Sequence, residues 1–206
     1  MALEGGVCCG KTTTADLLKN ADDISLLKEY MDVLPASHNA HKVLMPFEER
    51  FPLFLSLEKD RWINPPFSKN GTVADRCIFT ILAFEYAASS IGIASEVLSF
   101  ASSAELKIKI PDVVICLNIS ETLRLKRWAK RGFPLDSLLV DRTFNVKLYE
   151  YYERVQRATR IHHIWADHLG EPEIIRIAKQ VFYGIPADGQ VKEMSLAEII
   201  KKTYVK

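Results

Sequence analysis

Gly5-Gly6-Val7-Cys8-Cys9-Gly10-Lys11-Thr12 decides how this chain is read. The stretch fits the spacing G-x-x-x-x-G-K-[ST] at every fixed position. Each fixed residue has a physical task. Gly5 and Gly10 let the backbone turn tightly and bring its N–H groups onto a polyphosphate. A helix starting near Lys11 adds the positive end of its dipole. Lys11 brings a point charge to the outer phosphates, and the Thr12 hydroxyl is suited to ligate Mg²⁺. The flanks agree, because the apolar Ala2-Leu3 reads as a strand before the loop and Thr12–Asn20 as a helix after it. Gly5, Gly6, Val7, Cys8, Cys9, Gly10, Lys11, Thr12 and Thr13 are therefore the expected contacts for ATP. Cys8 and Cys9 read in two ways, as a redox pair whose thiols are acidified by the helix end and Lys11, or as small residues that fit the turn.

Working outward, short apolar runs alternate with longer helical stretches, which predicts an α/β protein with a parallel sheet. The candidate strands are Met1–Glu4, Ile24–Glu29, Thr72–Asp75, Val113–Asn118 and Ile174–Ala178. The first is short, as for a strand that begins a residue or two earlier. The run Val113–Leu117 is continuously apolar, as a strand covered on both faces should be. Helices are expected over Thr12–Asn20, Phe47–Trp62, Arg76–Ile91, Glu121–Arg131 and Thr143–His168, with Ser195-Leu196-Ala197-Glu198 as a capping box opening a last one. Pro35–Pro46, Asn64–Gly71 and Tyr183–Met194 read as loops.

The 206 residues are 48% hydrophobic and 26% charged, ordinary values for a soluble domain that needs no disulfide or metal to fold. Lys+Arg total 27 against Asp+Glu 26, a net charge of +1, which argues against nucleic acid or an anionic membrane as partner. No apolar run has the roughly 18 residues of a membrane span. The opening Met-Ala-Leu-Glu-Gly-Gly has neither a charged region nor an apolar one, so no secretory leader is expected. Four scattered cysteines suit a reducing, cytoplasmic setting. His162, His163 and His168, expected on one helix, match no zinc spacing.

Four segments, in order from Leu3 to about Tyr152, resemble the thymidylate kinase and deoxynucleoside kinase superfamily of P-loop kinases. They are Leu3-Glu4-Gly5 with the phosphate loop, and Asp75-Arg76-Cys77 with Thr80, Ala83 and Phe84. Then come Pro111-Asp112 leading into the apolar strand and Arg124, Arg127, Arg131 and Gly132, and finally Asp141-Arg142 with Phe144, Tyr149 and Tyr152. The resemblance implies a three-layer fold with about five parallel strands flanked by helices, in one domain over residues 1–206. A helical lid would lie near residues 121–143. It also implies ATP with Mg²⁺, a small nucleotide or nucleoside acceptor, and a homodimer.

The residues bear this out chemically. Asp75 ends a short strand at the sheet edge where α/β sites form, placed to hold Mg²⁺ with Thr12 or to orient a nucleophile. Arg76 is next to it, suited to an acceptor or transferring phosphate; the pair reads alternatively as a helix cap with an exposed ion pair. Arg124, Arg127 and Arg131 share one helix face, and with no charge at Val7, Cys8 or Cys9 a transition-state cation has to come from such a lid, Arg127 and Arg131 above all. Read without the resemblance, the same face is a solvated basic stripe.

On the acceptor side, Glu29 ends the second candidate strand. In the resembled nucleoside kinases a glutamate there is the general base; it reads equally as a surface glutamate. Arg61, in Asp60-Arg61, resembles the arginine that holds an acceptor phosphate. Phe84 is placed to stack on a base, unless it is core. Glu85 stands where thymidylate kinases carry a base-reading glutamine. An ionised glutamate accepts hydrogen bonds but donates none, so it suits an amino group or sugar hydroxyl better than the thymine of dTMP. The leading expectation is phosphoryl transfer from ATP to a nucleoside monophosphate. A nucleoside kinase and a non-catalytic ATP-binding regulatory module stay open beside it.

Overall fold

Val113–Asn118 forms β5, buried along its whole length, and the other strands line up around it. The computed structural model describes residues 1–34, 47–63, 68–93, 95, 97–100, 106–132, 137–184 and 192–204. β1 (Ala2–Glu4), β2 (Ser25–Leu27), β3 (Thr72–Asp75) and β6 (Arg160–Trp165) complete a five-stranded sheet of order β2-β3-β1-β5-β6. All its pairings are parallel. β1 lies at the centre, with Leu3 opposite Asp75 on one side and Glu4 opposite Cys116 on the other.

The alternation of side chains along a strand builds the two covering layers. Ala2, Ala74, Val114 and Cys116 face one core, closed by α3 (Phe47–Ile63), α4 (Ile78–Ser90), α7 (Arg142–Val155) and α9 (Leu196–Thr203). Leu3, Val73, Ile115 and Leu117 face the other, closed by α1 (Lys11–Asp22) and α8 (Glu171–Tyr183). The three-layer α/β architecture expected from the sequence is the one observed. Among the described residues, no helix is long and apolar enough to cross a membrane.

Two expected elements change. Ile174–Ala178 is not a strand but part of α8, where Ile174, Ala178 and Phe182 recur every fourth residue and form its buried stripe. The fifth strand is β6, which falls inside the long helix expected over Thr143–His168. That helix stops at Val155. Arg160, His162 and Trp165 lie exposed on an edge strand, and these polar residues hid its β character. His162 and His163 therefore lie on a strand. A second, two-stranded antiparallel sheet was not foreseen: β4 (Lys107–Ile110) pairs β7 (Lys192–Ser195), which takes up the end of the expected loop Tyr183–Met194 and the Ser195 that follows. The remaining helices are α2 (Tyr30–Val33), α5 (Val97–Phe100) and α6 (Glu121–Lys130), with a 3₁₀ turn at Leu138–Val140. Ser195 caps α9 as expected, accepting from the Glu198 amide at 3.1 Å. The expected loop 35–46 and residues 64–67 and 133–136 lie outside the described residues.

Ile115 has no exposed surface and packs against the α1/α8 layer. Ile115→Ala is expected to lower stability by about 2–5 kcal/mol, seen as a lower urea midpoint with an unchanged slope.

Candidate active site

The sheet order reverses at β1, which opens a crevice beyond the carboxyl ends of β1, β3 and β5. The phosphate loop crosses this crevice between Glu4 and α1. Gly5 has φ +124°, and a Cβ on it would stand 2.2 Å from the Leu117 carbonyl oxygen, so no side chain fits. Gly10, at φ +100°, turns the chain into α1. The Lys11 ammonium is folded back on the loop and donates to the carbonyls of Gly5 at 3.1 Å and Gly6 at 2.7 Å. Burial pushes the Cys8 thiol above its usual range, with Arg131 the strongest influence the other way. That opposes the thiolate character which the redox reading needs.

The Thr12 hydroxyl donates to Asp75 Oδ2 at 2.6 Å, which links the loop to the end of β3. Burial raises the Asp75 carboxyl pKa, against the hydrogen bond from Thr12 and the charges of Lys11 and Arg76. Its other oxygen, Oδ1, is buried and has no hydrogen-bond partner among the described residues. A hydroxyl beside an orphaned carboxylate oxygen at the foot of a phosphate loop fits the chemistry of a hydrated Mg²⁺ ion. Among the described residues no three His, Cys, Asp or Glu side chains cluster to hold a metal by themselves.

Arg76 follows in the left-handed region, φ +71°, rare for a residue with a side chain. Its Nε donates to Glu29, which leaves the end of β2. Burial opposes the charge of Glu29, but Arg76, with Lys11, more than offsets this and holds the carboxyl below its usual range. Burial also opposes the charge of Arg76, and Glu29 in turn holds that guanidinium charged. Lys11, Thr12, Asp75, Arg76 and Glu29 are thus brought together, as the sequence expected.

Arg61 is differently placed. Its guanidinium is buried and donates to Glu58 Oε2 at 3.1 Å and to the carbonyls of Leu27, Asp75 and Arg76 at 3.1–3.3 Å. It also lies 4.4 Å over the Tyr30 ring. It braces the ends of β2 and β3. Phe84 packs edge-on against Phe144 at 5.5 Å. Glu85 lies on another face of α4, buried, and accepts from Ser95 at 2.7 Å.

Sequence reasoning missed two carboxylates. Glu4 and Glu58 are both buried. Cys77, the residue before α4, offers no side-chain cap. Instead Glu4 accepts from the Cys77 amide at 2.8 Å and Glu58 from the Ile78 amide at 3.0 Å. Two acids from other elements thus satisfy the exposed start of α4 and meet its positive end. The available signal was a glutamate in each case set among apolar neighbours, Ala2-Leu3 for Glu4 and Leu55-Leu57 for Glu58.

On the lid side, Arg127 donates to the Cys8 carbonyl at 3.0 Å, and Arg131 lies exposed at the end of α6. Arg124 is buried, and its Nη1 has no hydrogen-bond partner among the described residues. α7 covers the loop from outside, with the Tyr149 hydroxyl 3.0 Å from where a Cβ on Gly6 would stand. A shallow, open hollow of about 450 Å³, lined by Gln156–His162, opens at the other end of β6 and is no part of this arrangement.

Against known proteins, the likeness lies in the fold. No family model and no curated protein matches the sequence. Among solved structures, deoxyadenosine kinase from M. mycoides with products dCMP and dCDP bound is 18% identical with a TM-score of 0.69, over 90% of this chain and 98% of that one. Its dATP-bound form superposes with a TM-score of 0.71 over 89% and 98%. Thymidylate kinase from Candida albicans is 13% identical with a TM-score of 0.66, over 94% and 96%. The fold is that of the P-loop nucleoside and nucleotide kinases.

Burial pushes the Glu58 carboxyl up to about 7, against Arg61 and the hydrogen bonds from Tyr30 and Trp62. A carboxyl whose folded pKa is raised stabilises the fold below its unfolded value of 4.5, and that contribution is lost as pH rises to about 7. Glu58→Gln is expected to flatten the fall in urea midpoint over that window. A profile unchanged from wild type would contradict the placement.

Proposed function

We propose that the protein is an ATP-dependent kinase that phosphorylates the hydroxyl of a nucleoside or nucleoside-like small molecule. The observation that carries the reading is the Glu29–Arg76 pair, which stands beside Asp75 and Thr12 at the sheet edge with Glu29 held ionised. An ionised carboxylate within reach of an acceptor hydroxyl is a general base. The fold shared with deoxyadenosine kinase and thymidylate kinase supports the same reaction class.

In this reading the loop amides and Lys11 hold the ATP triphosphate. Glu29 takes the proton of the acceptor hydroxyl as its oxygen bonds to the γ-phosphorus. The bond to the β-phosphate oxygen breaks, and ADP leaves. Arg76 orients Glu29 and faces the developing charge, and Arg127 and Arg131 add positive charge from the lid over residues 121–143. Thr12 and Asp75 would hold Mg²⁺, which would supply positive charge to offset that of the phosphates.

The sequence leaned toward a monophosphate acceptor through Arg61. With that guanidinium committed to Glu58 and three carbonyls, the hydroxyl acceptor is the better-supported one. A single domain over residues 1–206, from the chain length, a cytoplasmic setting, from the four scattered cysteines, and a homodimer, from the resemblance, belong to the same reading.

The test is ADP release with Mg·ATP across nucleosides and nucleoside monophosphates. Nucleosides are expected to stimulate turnover, and Glu29→Gln to cut kcat by about 10²–10⁴ fold with little change in KM. The acid limb of kcat/KM is expected below the ordinary glutamate value of 4.5, because Arg76 keeps Glu29 ionised down to lower pH. Turnover with monophosphates alone, untouched by Glu29→Gln, would contradict the reading.

A further inference from the structure

Glu4 is fully buried and accepts hydrogen bonds from other elements only. The Cys77 amide at 2.8 Å and the Cys77 thiol at 3.0 Å donate to Oε1. The Thr80 hydroxyl and, at 2.9 Å, the Tyr152 hydroxyl donate to Oε2. A carboxylate survives such burial only when its oxygens are satisfied. Its neighbour Leu3 accepts from the Arg76 amide at 3.1 Å. Two successive residues of β1 therefore hold two successive amides of the turn after β3. Between the holding points, Arg76 takes its left-handed conformation, φ +71°. A strained backbone of that kind persists only where its surroundings fix it. On either side of the strained bond stand Asp75, on Thr12, and the Arg76 guanidinium, on Glu29.

We propose that Glu4 is a positioning residue for phosphoryl transfer: by accepting the Cys77 amide it fixes the turn Asp75–Cys77, and so sets Asp75 against Thr12 and Arg76 against Glu29. Glu4 touches neither ATP nor acceptor in this scheme. It acts through the turn, and the Tyr152 hydroxyl ties the same carboxylate to α7, the helix that covers the phosphate loop. The device places the donor end and the acceptor end of the crevice under one group. It rests on the kinase reading only in that its effect is seen in turnover.

Two variants separate reach from charge. Glu4→Asp keeps the charge but draws the carboxylate back by roughly 1.5 Å, one carbon–carbon bond. Glu4→Gln keeps the reach: its carbonyl accepts from Cys77, while its amide donates to the Thr80 and Tyr152 oxygens. Glu4→Asp is expected to lower kcat by about 100-fold, the scale of a displacement near 1 Å at a reacting centre, with KM for ATP unchanged. Glu4→Gln is expected to recover most of that loss. Wild-type kcat in Glu4→Asp, or a fall in Glu4→Gln as deep as in Glu4→Asp, would overturn the proposal, as would a loss confined to KM for ATP. If Glu4→Asp does not fold, Glu4→Gln decides alone, and a loss in it above about tenfold would overturn the proposal, because its acceptor is still in place. Wild-type turnover is measured first. If the wild type phosphorylates nothing, the kinase reading fails, and a crystal structure of Glu4→Asp decides the proposal: Arg76 moved off Glu29 supports it, and Arg76 in place overturns it.

Discussion

The Leu117 carbonyl presses against Gly5 so closely that the chain can leave β1 only as glycine, and only in a conformation with positive φ. The rest of the crevice depends on this contact. It turns the backbone sharply at the carboxyl edge of the sheet, and Gly10 then starts α1, whose first amides have no side-chain cap. β5 supplies the pressing carbonyl, and β5 is in turn fixed by burial on both faces. The hydrophobic layers thus reach the phosphate loop through one backbone contact.

Around that turn stand two pairs of acids, Glu29 half-buried and the other three buried. Glu4 and Glu58 point inward and complete the start of α4, which makes them part of the framework. Asp75 and Glu29 point toward the loop and carry polar capacity the framework does not use: an unpartnered oxygen on Asp75, and on Glu29 a charge maintained by Arg76. Arg61 sits between the pairs and holds three backbone carbonyls of the strand ends.

Much of this was legible in the sequence. The phosphate loop, β1 and β5 were readable because local spacing alone dictates them, and the sheet class followed from their alternation with helices. Asp75 was readable as a strand-end residue, whereas Glu29, expected to end β2, lies two residues beyond its last residue Leu27, and Arg76, expected to open a helix, lies in the turn before Ile78. β6 was not, because an edge strand open to solvent carries Arg160 and His162 where a buried strand would carry apolar residues. α8 was mistaken for a strand because five residues of a helical stripe look apolar when their period is cut short. The settings of Arg61 and Glu85 were not legible for one reason: the sequence shows a charge on a helix but not which neighbours it meets. Glu4 and Glu58 were hidden because a buried acid is explained only by the amides of another element, brought near by the fold.

The most direct measurement is calorimetric binding of Mg·ATP to the wild-type protein and to Lys11→Met, with thermal unfolding as a check that both are folded. The account requires saturable binding by the wild type, weakened in the variant by at least about tenfold, or roughly 1.4 kcal/mol. No binding by the wild type, or equal affinity in two folded proteins, would contradict it.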